Sequence, residues 1–216
     1  MLKSTSGSLG GTAFVDTWVN RNNYANANSI ASVFFTDVGV GGGSFWYYSG
    51  SKWRPYGGRV TLKNTITNIT NSAAPKIVMD SCTLLPGLWQ DGDILHARIY
   101  KERTGGTSDT DATDLMLGTV AGTLGTSLGL VTAALATTSI SLAVDYRVLR
   151  ASATSVTPLS IGGGVGLGAS TTAFPAVTVS NIDSNTLYLQ TTSDLTTAGG
   201  EVANLRNFTV ELIIGT

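Results

Sequence analysis

Residues 33–62 decide the fold and read VFFTDVGVGGGSFWYYSGSKWRPYGGRVTL. They comprise a short apolar strand, a run of glycines and two aromatic segments separated by Ser49-Gly50, which has the chemistry of a hairpin turn. The pattern predicts a strand and then an aromatic β-hairpin whose second arm covers residues 52–56. Because one hairpin cannot bury so much aromatic surface alone, the rest of the chain, a second copy or a larger assembly must cover it.

The sequence before this hairpin is polar and irregular. Residues 1–30 are rich in asparagine, with Phe14, Trp18 and Tyr24 interspersed, so we expect an extended N-terminal arm without a core of its own. A disordered tail is the alternative. The three aromatic residues favour an arm that docks on a partner.

The arm and the hairpin together supply a candidate docking or trimer interface. Trp46 and Trp53 lie in opposite arms of the hairpin, and counting outward from Ser49-Gly50-Ser51 brings them near a cross-strand pair. The candidate interface residues are Phe14, Trp18, Tyr24, Phe45, Trp46, Tyr47, Tyr48, Trp53, Arg54 and Tyr56.

Exposed aromatic rings that stack on sugars of a host surface are the alternative for this module. We favour burial, because the module adjoins the arm, whereas recognition residues usually occupy exposed loops. The glycine-rich loops 118–129 and 162–168 are better candidates to face a receptor.

Beyond residue 58 the chain becomes a series of β segments separated by Gly, Pro, Asn and Asp turns. Residues 94–103 set apolar Ala97 and Ile99 against Arg98 and Lys101, and residues 138–149 and 205–214 also alternate. The eight or so strands predict an all-β fold, an antiparallel jelly-roll-like β-sandwich. No segment has a convincing helical period, although residues 128–135 are long enough for a turn or two.

The predicted organisation therefore has three parts: the arm, 1–30; the aromatic strand and hairpin module, 31–58; and the sandwich, 59–216.

The composition excludes several classes of function. Charged residues make up 12% of the chain and the net charge is −1, so the sequence lacks the excess of positive charge that nucleic-acid binding requires. The single cysteine, Cys82, cannot form an intrachain disulfide and is expected to be buried. Glycines interrupt the apolar windows, so we expect no membrane insertion, and residues 1–7 lack the apolar core of a signal peptide.

The titratable residues do not form a recognisable catalytic or metal site. His96 is the only histidine and lies within a predicted strand, where an ordinary strand residue is expected. One histidine and one cysteine exclude a zinc site of ordinary type. Asp91 and Asp93 are two residues apart, whereas a glycosidase places its carboxylates across a groove on separate elements. Acidic residues in 108–114 resemble half of a calcium loop but lack its glycine and distal glutamate, which favours a solvated loop; they are Asp109, Asp111 and Asp114. We expect no enzyme activity, no cofactor and no metal.

Several short motifs occur in a characteristic order. They are TDVGVGGGSFWYYSGSKWRPYGGRVTL over 36–62, DGDIL over 91–95, KERTGGT over 101–107, LGTVAGT over 117–123, VDYRVL over 144–149 and NFTVEL over 207–212. In this order and spacing, the chain from residue 33 to 216 resembles a family of small tailed-bacteriophage virion structural proteins of the tail-fibre or head-fibre type.

This resemblance implies an N-terminal docking motif, a C-terminal jelly-roll domain and, usually, a homotrimer. It leads us to expect a non-enzymatic virion protein (tail fibre, head fibre or capsid decoration) made in the bacterial host cytoplasm. Its partners would be capsid, tail or baseplate proteins. The leading alternative is an adhesin for viral attachment that binds host surface glycan, and the third is a depolymerase fragment.

Overall fold

The computed structural model describes residues 4–6, 12–25, 32–66, 69–72, 75–105, 110–134, 139–163, 175–195 and 201–215. Most of these residues lie in strands, and among them one 3-10 helix occurs, Trp18–Asn23. The first five strands are β1 (Ser4–Ser6), β2 (Thr12–Asp16), β3 (Ser32–Phe35), β4 (Ser44–Tyr48) and β5 (Trp53–Pro55). They form one five-stranded sheet in that order, the N-terminal sheet.

The later strands form two further sheets. They are β6 (Arg59–Thr65), β7 (Ile69–Asn71), β8 (Ile77–Leu84), β9 (Ile94–Thr104), β10 (Thr110–Gly118), β11 (Thr126–Ala134), β12 (Ser139–Ser152), β13 (Ser155–Gly163), β14 (Val177–Thr178), β15 (Leu187–Leu195) and β16 (Val202–Ile213). One sheet has the order β11-β10-β15-β8, and the other has the order β14-β13-β12-β9-β16-β6, with β7 also paired to β16.

These two sheets pack face to face as a sandwich, which confirms the all-β, antiparallel prediction. The core follows from alternation: Leu95, Ala97 and Ile99 of β9 are buried, as are Val210 and Leu212 of β16. The free thiol of Cys82 is also buried, as expected, and burial raises its pKa to about 12.

Lys101 departs from the predicted alternation. Its side chain was expected to point outward with Arg98, yet it is fully buried and shares the inward face with Ala97 and Ile99. Positions 97, 99 and 101 have the same parity in a continuous strand, so the backbone register directs the Lys101 side chain inward in spite of its charge.

The prediction of helical turns within residues 128–135 is wrong for the described positions. Residues 126–134 form the strand β11.

The arm is joined to the aromatic module within one sheet. β2 runs parallel to β3, with Phe14 opposite Val33, and β1 pairs antiparallel with β2. The described parts of residues 1–30 are thus strands and a 3-10 helix that pack on the hairpin of the same chain.

The hairpin register differs from the one predicted. Its turn spans Ser49 to Lys52, closed by the Ser49 amide donating to the Lys52 carbonyl at 2.8 Å. This four-residue turn places Trp53 opposite Tyr48 and Trp46 opposite Pro55, so the two tryptophans are not a direct cross-strand pair.

The N-terminal sheet packs against one end of the sandwich. The Trp18 indole donates to the Pro86 carbonyl at 2.9 Å, and the Ile214 amide donates to the Gly58 carbonyl at 2.9 Å. Buried residues of the N-terminal sheet and of the sandwich belong to one continuous hydrophobic cluster.

Candidate docking surface

The inner face of the N-terminal sheet is an aromatic core. Trp18 lies at its centre, with ring centroids 4.9 Å from Trp46, 5.1 Å from Phe35 and 6.5 Å from Trp53, all in edge-to-face geometry. Trp18, Phe35, Trp46 and Trp53 are all buried, so this chain itself supplies much of the cover that the hairpin requires.

A set of carboxylate hydrogen bonds holds Trp18 in place. Oδ1 of Asp16 accepts from the Thr17 amide and from Asn20 Nδ2, both at 2.8 Å, while Oδ2 accepts from the Tyr24 hydroxyl at 2.6 Å. The hydrogen bond from Asn20, followed by that from Tyr24, lowers the pKa of Asp16. Burial, with the Asp16 hydrogen bond, raises the pKa of Tyr24 to about 12.

An ion pair connects the hairpin to the sandwich. The Arg54 guanidinium lies 2.9 Å from Oδ1 of Asp93, whose side chain is completely buried. Oδ1 also accepts from the Gly215 amide at 3.2 Å, and Oδ2 accepts from the Gln90 amide at 3.1 Å. Burial raises the pKa of Asp93, although these hydrogen bonds and Arg54 oppose that shift. The arrangement fixes the orientation of the sheet on the sandwich.

The outer face of the same sheet carries a second aromatic group. Val15, Phe34 and Phe45 are aligned across β2, β3 and β4, and the Phe34 and Phe45 rings lie 4.8 Å apart. Tyr47 and Tyr56 extend this row at 5.2 Å. We call these five residues the outer aromatic patch. Val15 is 51% exposed, and Phe45 and Tyr56 are each 49% exposed.

A cavity adjoins one end of the outer aromatic patch. Its volume is about 610 Å³, which lies within the range of about 300–1,000 Å³ that is usual for ligand pockets. It is lined by Tyr47, Arg54, Tyr56, Gly58 and Ile214, among others. The Tyr56 hydroxyl lies 2.6 Å from Oγ of Ser32, which fixes the ring at the rim of the patch.

The ten residues predicted for the interface divide between the two faces. Four are buried inside the chain, namely Trp18, Tyr24, Trp46 and Trp53. Three are partly buried: Phe14 contacts Tyr24, Tyr48 contacts Trp53, and Arg54 binds Asp93. The side chains left accessible to a partner are Phe45, Tyr56 and, in part, Tyr47.

Sequence reasoning missed Val15 and Phe34 of the patch. The signal was present in the alternation of residues 33–35, since Val33 and Phe35 are buried and Phe34 must then face the other way. Val15 joins the patch only through the parallel pairing of β2 with β3, which no local pattern predicts.

The predicted strand histidine lies beside two carboxylates. His96 Nε2 lies 2.7 Å from Oδ2 of Asp145, and Glu211 bridges His96 and Arg98. Histidine here is a strand residue within a charged network on the outer face of the sandwich.

The four described acidic residues among those weighed for hydrolysis or calcium each have a basic partner. Asp91 pairs with Arg150 at 2.8 Å, while Asp93 pairs with Arg54. Asp111 and Asp114 pair with two different lysines, Lys101 and Lys76, so they do not converge on one point. Asp109 lies outside the described residues. Among the residues described, no group of three or more His, Cys, Asp or Glu side chains is placed to hold a metal ion.

A second cleft lies by the first glycine-rich loop. It has a volume of about 400 Å³ and is lined by residues of the β10–β11 connection and by Thr178 and Val179. Val120 and Leu124 of that connection are exposed. Of the second loop, 162–168, only residues 162 and 163 are described.

Comparisons with protein-family models and with curated proteins find no match to this chain. In the described part of the chain, no helix has the length and apolar character needed to cross a membrane.

Proposed function

We propose that this chain is a non-enzymatic structural protein of a bacteriophage particle, which attaches through the outer aromatic patch and forms a trimer. The observation that carries the proposal is the contrast between the two faces of the N-terminal sheet. The inner face is enclosed by this chain, whereas Phe45, Tyr56 and Val15 remain about half exposed on the outer face.

Contiguous exposed apolar surface marks a site of association. The patch is held rigid from behind by Trp18, Trp46 and Trp53, and it is connected to the sandwich by the Arg54–Asp93 ion pair. A rigid sheet face loses little conformational freedom on binding, which suits permanent attachment to another protein. The resemblance of residues 33–216 to phage fibre proteins supports the same role, and also supports a jelly-roll topology for the sandwich.

Immunolabelling of particles tests this proposal. An antibody raised against the purified chain, applied to intact phage particles from cells that carry the gene, should label the particle at one defined position on the head or the tail. Particles from a strain with the gene deleted are the control. Absence of the chain from purified particles would contradict the proposal.

Light scattering tests the trimer. The purified chain should have the mass of three copies, and a soluble monomer at micromolar concentration would exclude the trimer.

An adhesin is the second candidate, and the cavity beside Tyr47 and Tyr56 favours it. The cavity of about 610 Å³ is lined by two tyrosine rings, which provide stacking faces for a sugar. The Arg54 guanidinium in the same lining provides hydrogen-bond donors. Glycan-array binding by the full chain, lost in Tyr56→Ala, would favour the adhesin. A chain that binds no glycan but is retained on particles favours the structural protein.

A further inference from the structure

The interior of the sandwich contains a lysine and an aspartate in direct contact. Lys101 of β9 and Asp111 of β10 come from opposite sheets, and Nζ lies 2.9 Å from Oδ1. The exposed fractions of their side chains are 0% and 5%. The two residues therefore face each other across the core, out of reach of water.

The residues paired with these two positions in the sheets are mostly apolar, while the buried Ser193 hydroxyl and Thr192 carbonyl also contact the pair. In the sheet of Lys101 its cross-strand neighbours are Leu142 and Leu205, and Asp111 lies opposite Leu195. These three leucines are buried. Transfer of two full charges into such a site costs free energy that their mutual attraction does not always recover. A neutral bond between the same two side chains removes that cost.

We propose that Lys101 and Asp111 form an intramolecular isopeptide bond that joins the two sheets covalently. The nucleophile is Nζ of Lys101 and the electrophile is Cγ of Asp111. The 2.9 Å contact between Nζ and Oδ1, in a site closed to solvent, holds the amine beside the carboxyl group whose carbon it would attack.

The reaction balances without any additional reagent. A proton moves from the Lys101 ammonium to the Asp111 carboxylate, which leaves a neutral amine beside a neutral carboxylic acid. Burial favours this transfer because it lowers the pKa of Lys101, although Asp111 opposes the shift. Nζ then attacks Cγ, a nitrogen proton passes to Oδ2, and the Cγ–Oδ2 bond breaks to release one water molecule.

Ser193 is positioned to assist this step. Its hydroxyl donates to Oδ1 of Asp111 at 3.0 Å, so it stabilises the negative charge that develops on that oxygen during the attack. Oδ1 remains as the carbonyl oxygen of the product amide. The Lys101 nitrogen also lies 3.4 Å from the Thr192 carbonyl, which orients the amine from the adjacent strand residue.

Mass spectrometry of the full-length chain tests the bond directly. The denatured protein should be lighter than its sequence by the mass of one water molecule. Trypsin cleaves after Arg98, Arg103 and Arg147, so the bond predicts a branched product in which residues 99–103 are joined to residues 104–147 through Lys101 and Asp111.

Variants provide the matched controls. Lys101→Arg keeps the charge but lacks the primary amine. Trypsin also cleaves after Arg at position 101, so its digest should contain residues 104–147 as an unbranched peptide, and the mass of the intact variant should equal its sequence. Lys63→Arg should retain the loss of water, since the Lys63–Asp80 pair at 3.0 Å is partly exposed. The proposal is overturned if the wild-type chain has its full sequence mass, or if the loss of water persists in Lys101→Arg. The wild-type mass decides the question even if the Lys101 variant fails to fold.

Discussion

At the scale of single residues, Trp18 explains how the polar residues 12–25 are held against the rest of the chain. It comes from a sequence poor in apolar residues, yet it is buried among Phe35, Trp46 and Trp53. Its indole nitrogen is satisfied by the Pro86 carbonyl of the sandwich. A buried tryptophan with a satisfied N–H contributes both its apolar area and a fixed orientation.

Replacement of the Trp18 side chain should destabilise the folded state of the whole chain. We expect Trp18→Ala to lower the free energy of unfolding by about 3–5 kcal/mol, as for other large-to-small changes in cores. Val19→Ala is the control, since Val19 is 75% exposed; it should change stability by less than about 0.5 kcal/mol. Urea unfolding measures both. Equal midpoints for Trp18→Ala and the wild type would show that the aromatic core is not a structural one.

The sequence allowed only part of this to be predicted at the residue scale. It indicated Trp46 and Trp53 as residues that need cover, because so many aromatic rings lie within residues 45–56, and it indicated Trp18 as an arm residue that docks on a partner. It did not predict that Lys101 is buried, since a lysine in an alternating strand normally indicates the solvent face. Only the partner from the opposite sheet, Asp111, makes that position tolerable for a charge.

At the scale of elements, the 3-10 helix Trp18–Asn23 depends on the carboxylate that precedes it. Asp16 ends β2 and accepts hydrogen bonds from Thr17, Asn20 and Tyr24, all on the helix or at its ends. A short 3-10 helix has few internal hydrogen bonds, so such side-chain contacts determine whether it forms.

The lowered pKa of Asp16 gives this contact a pH dependence. Because the folded-state pKa lies below the ordinary value of 3.8, the contribution of Asp16 to stability is complete above that pH and is lost as the pH falls through the folded pKa. The urea midpoint of the wild type should therefore exceed that of Asp16→Asn at neutral pH, with the difference shrinking below about pH 3.8. A difference in urea midpoint between the two proteins that stays constant from neutral pH down to about pH 2.5 would contradict this role of Asp16.

The hairpin shows where sequence reasoning about elements stops. The sequence predicted an aromatic hairpin with its second arm over residues 52–56, and the strands Ser44–Tyr48 and Trp53–Pro55 occur there, but their register depended on the length of the turn. The hydrogen bond between Ser49 and Lys52 encloses four residues, one more than a Ser49-Gly50-Ser51 turn, and this shifts each cross-strand pair by one position. The pairing of β2 with β3 is a long-range parallel contact, for which local sequence contains no signal.

At the scale of the whole molecule, the N-terminal sheet and the sandwich share one hydrophobic cluster. The sequence predicts that residues 59–216 can close a core by themselves. The contacts indicate that the same residues would lose stability without the N-terminal sheet, because Asp93 would lose its Arg54 partner and the sandwich would lose the apolar residues that complete the shared cluster.

A continuous core predicts one cooperative unfolding transition. Three of the four tryptophans, Trp18, Trp46 and Trp53, lie in the N-terminal part, whereas most strands lie in the sandwich. Tryptophan fluorescence and far-ultraviolet circular dichroism should therefore report the same urea midpoint. Fluorescence that changes at clearly lower urea than the dichroism would mean that the two parts unfold independently.

The central claim is that the outer aromatic patch attaches the chain to a particle while the inner face maintains the fold. Its most direct test is the amount of Phe45→Ser retained on particles purified from cells that make this variant in place of the wild type. Leu159→Ser is the matched control, since Leu159 on the sandwich is 48% exposed and Phe45 is 49% exposed. We predict that Phe45→Ser folds but is depleted from particles, whereas Leu159→Ser is retained at the wild-type level; equal retention of the two variants would contradict the account.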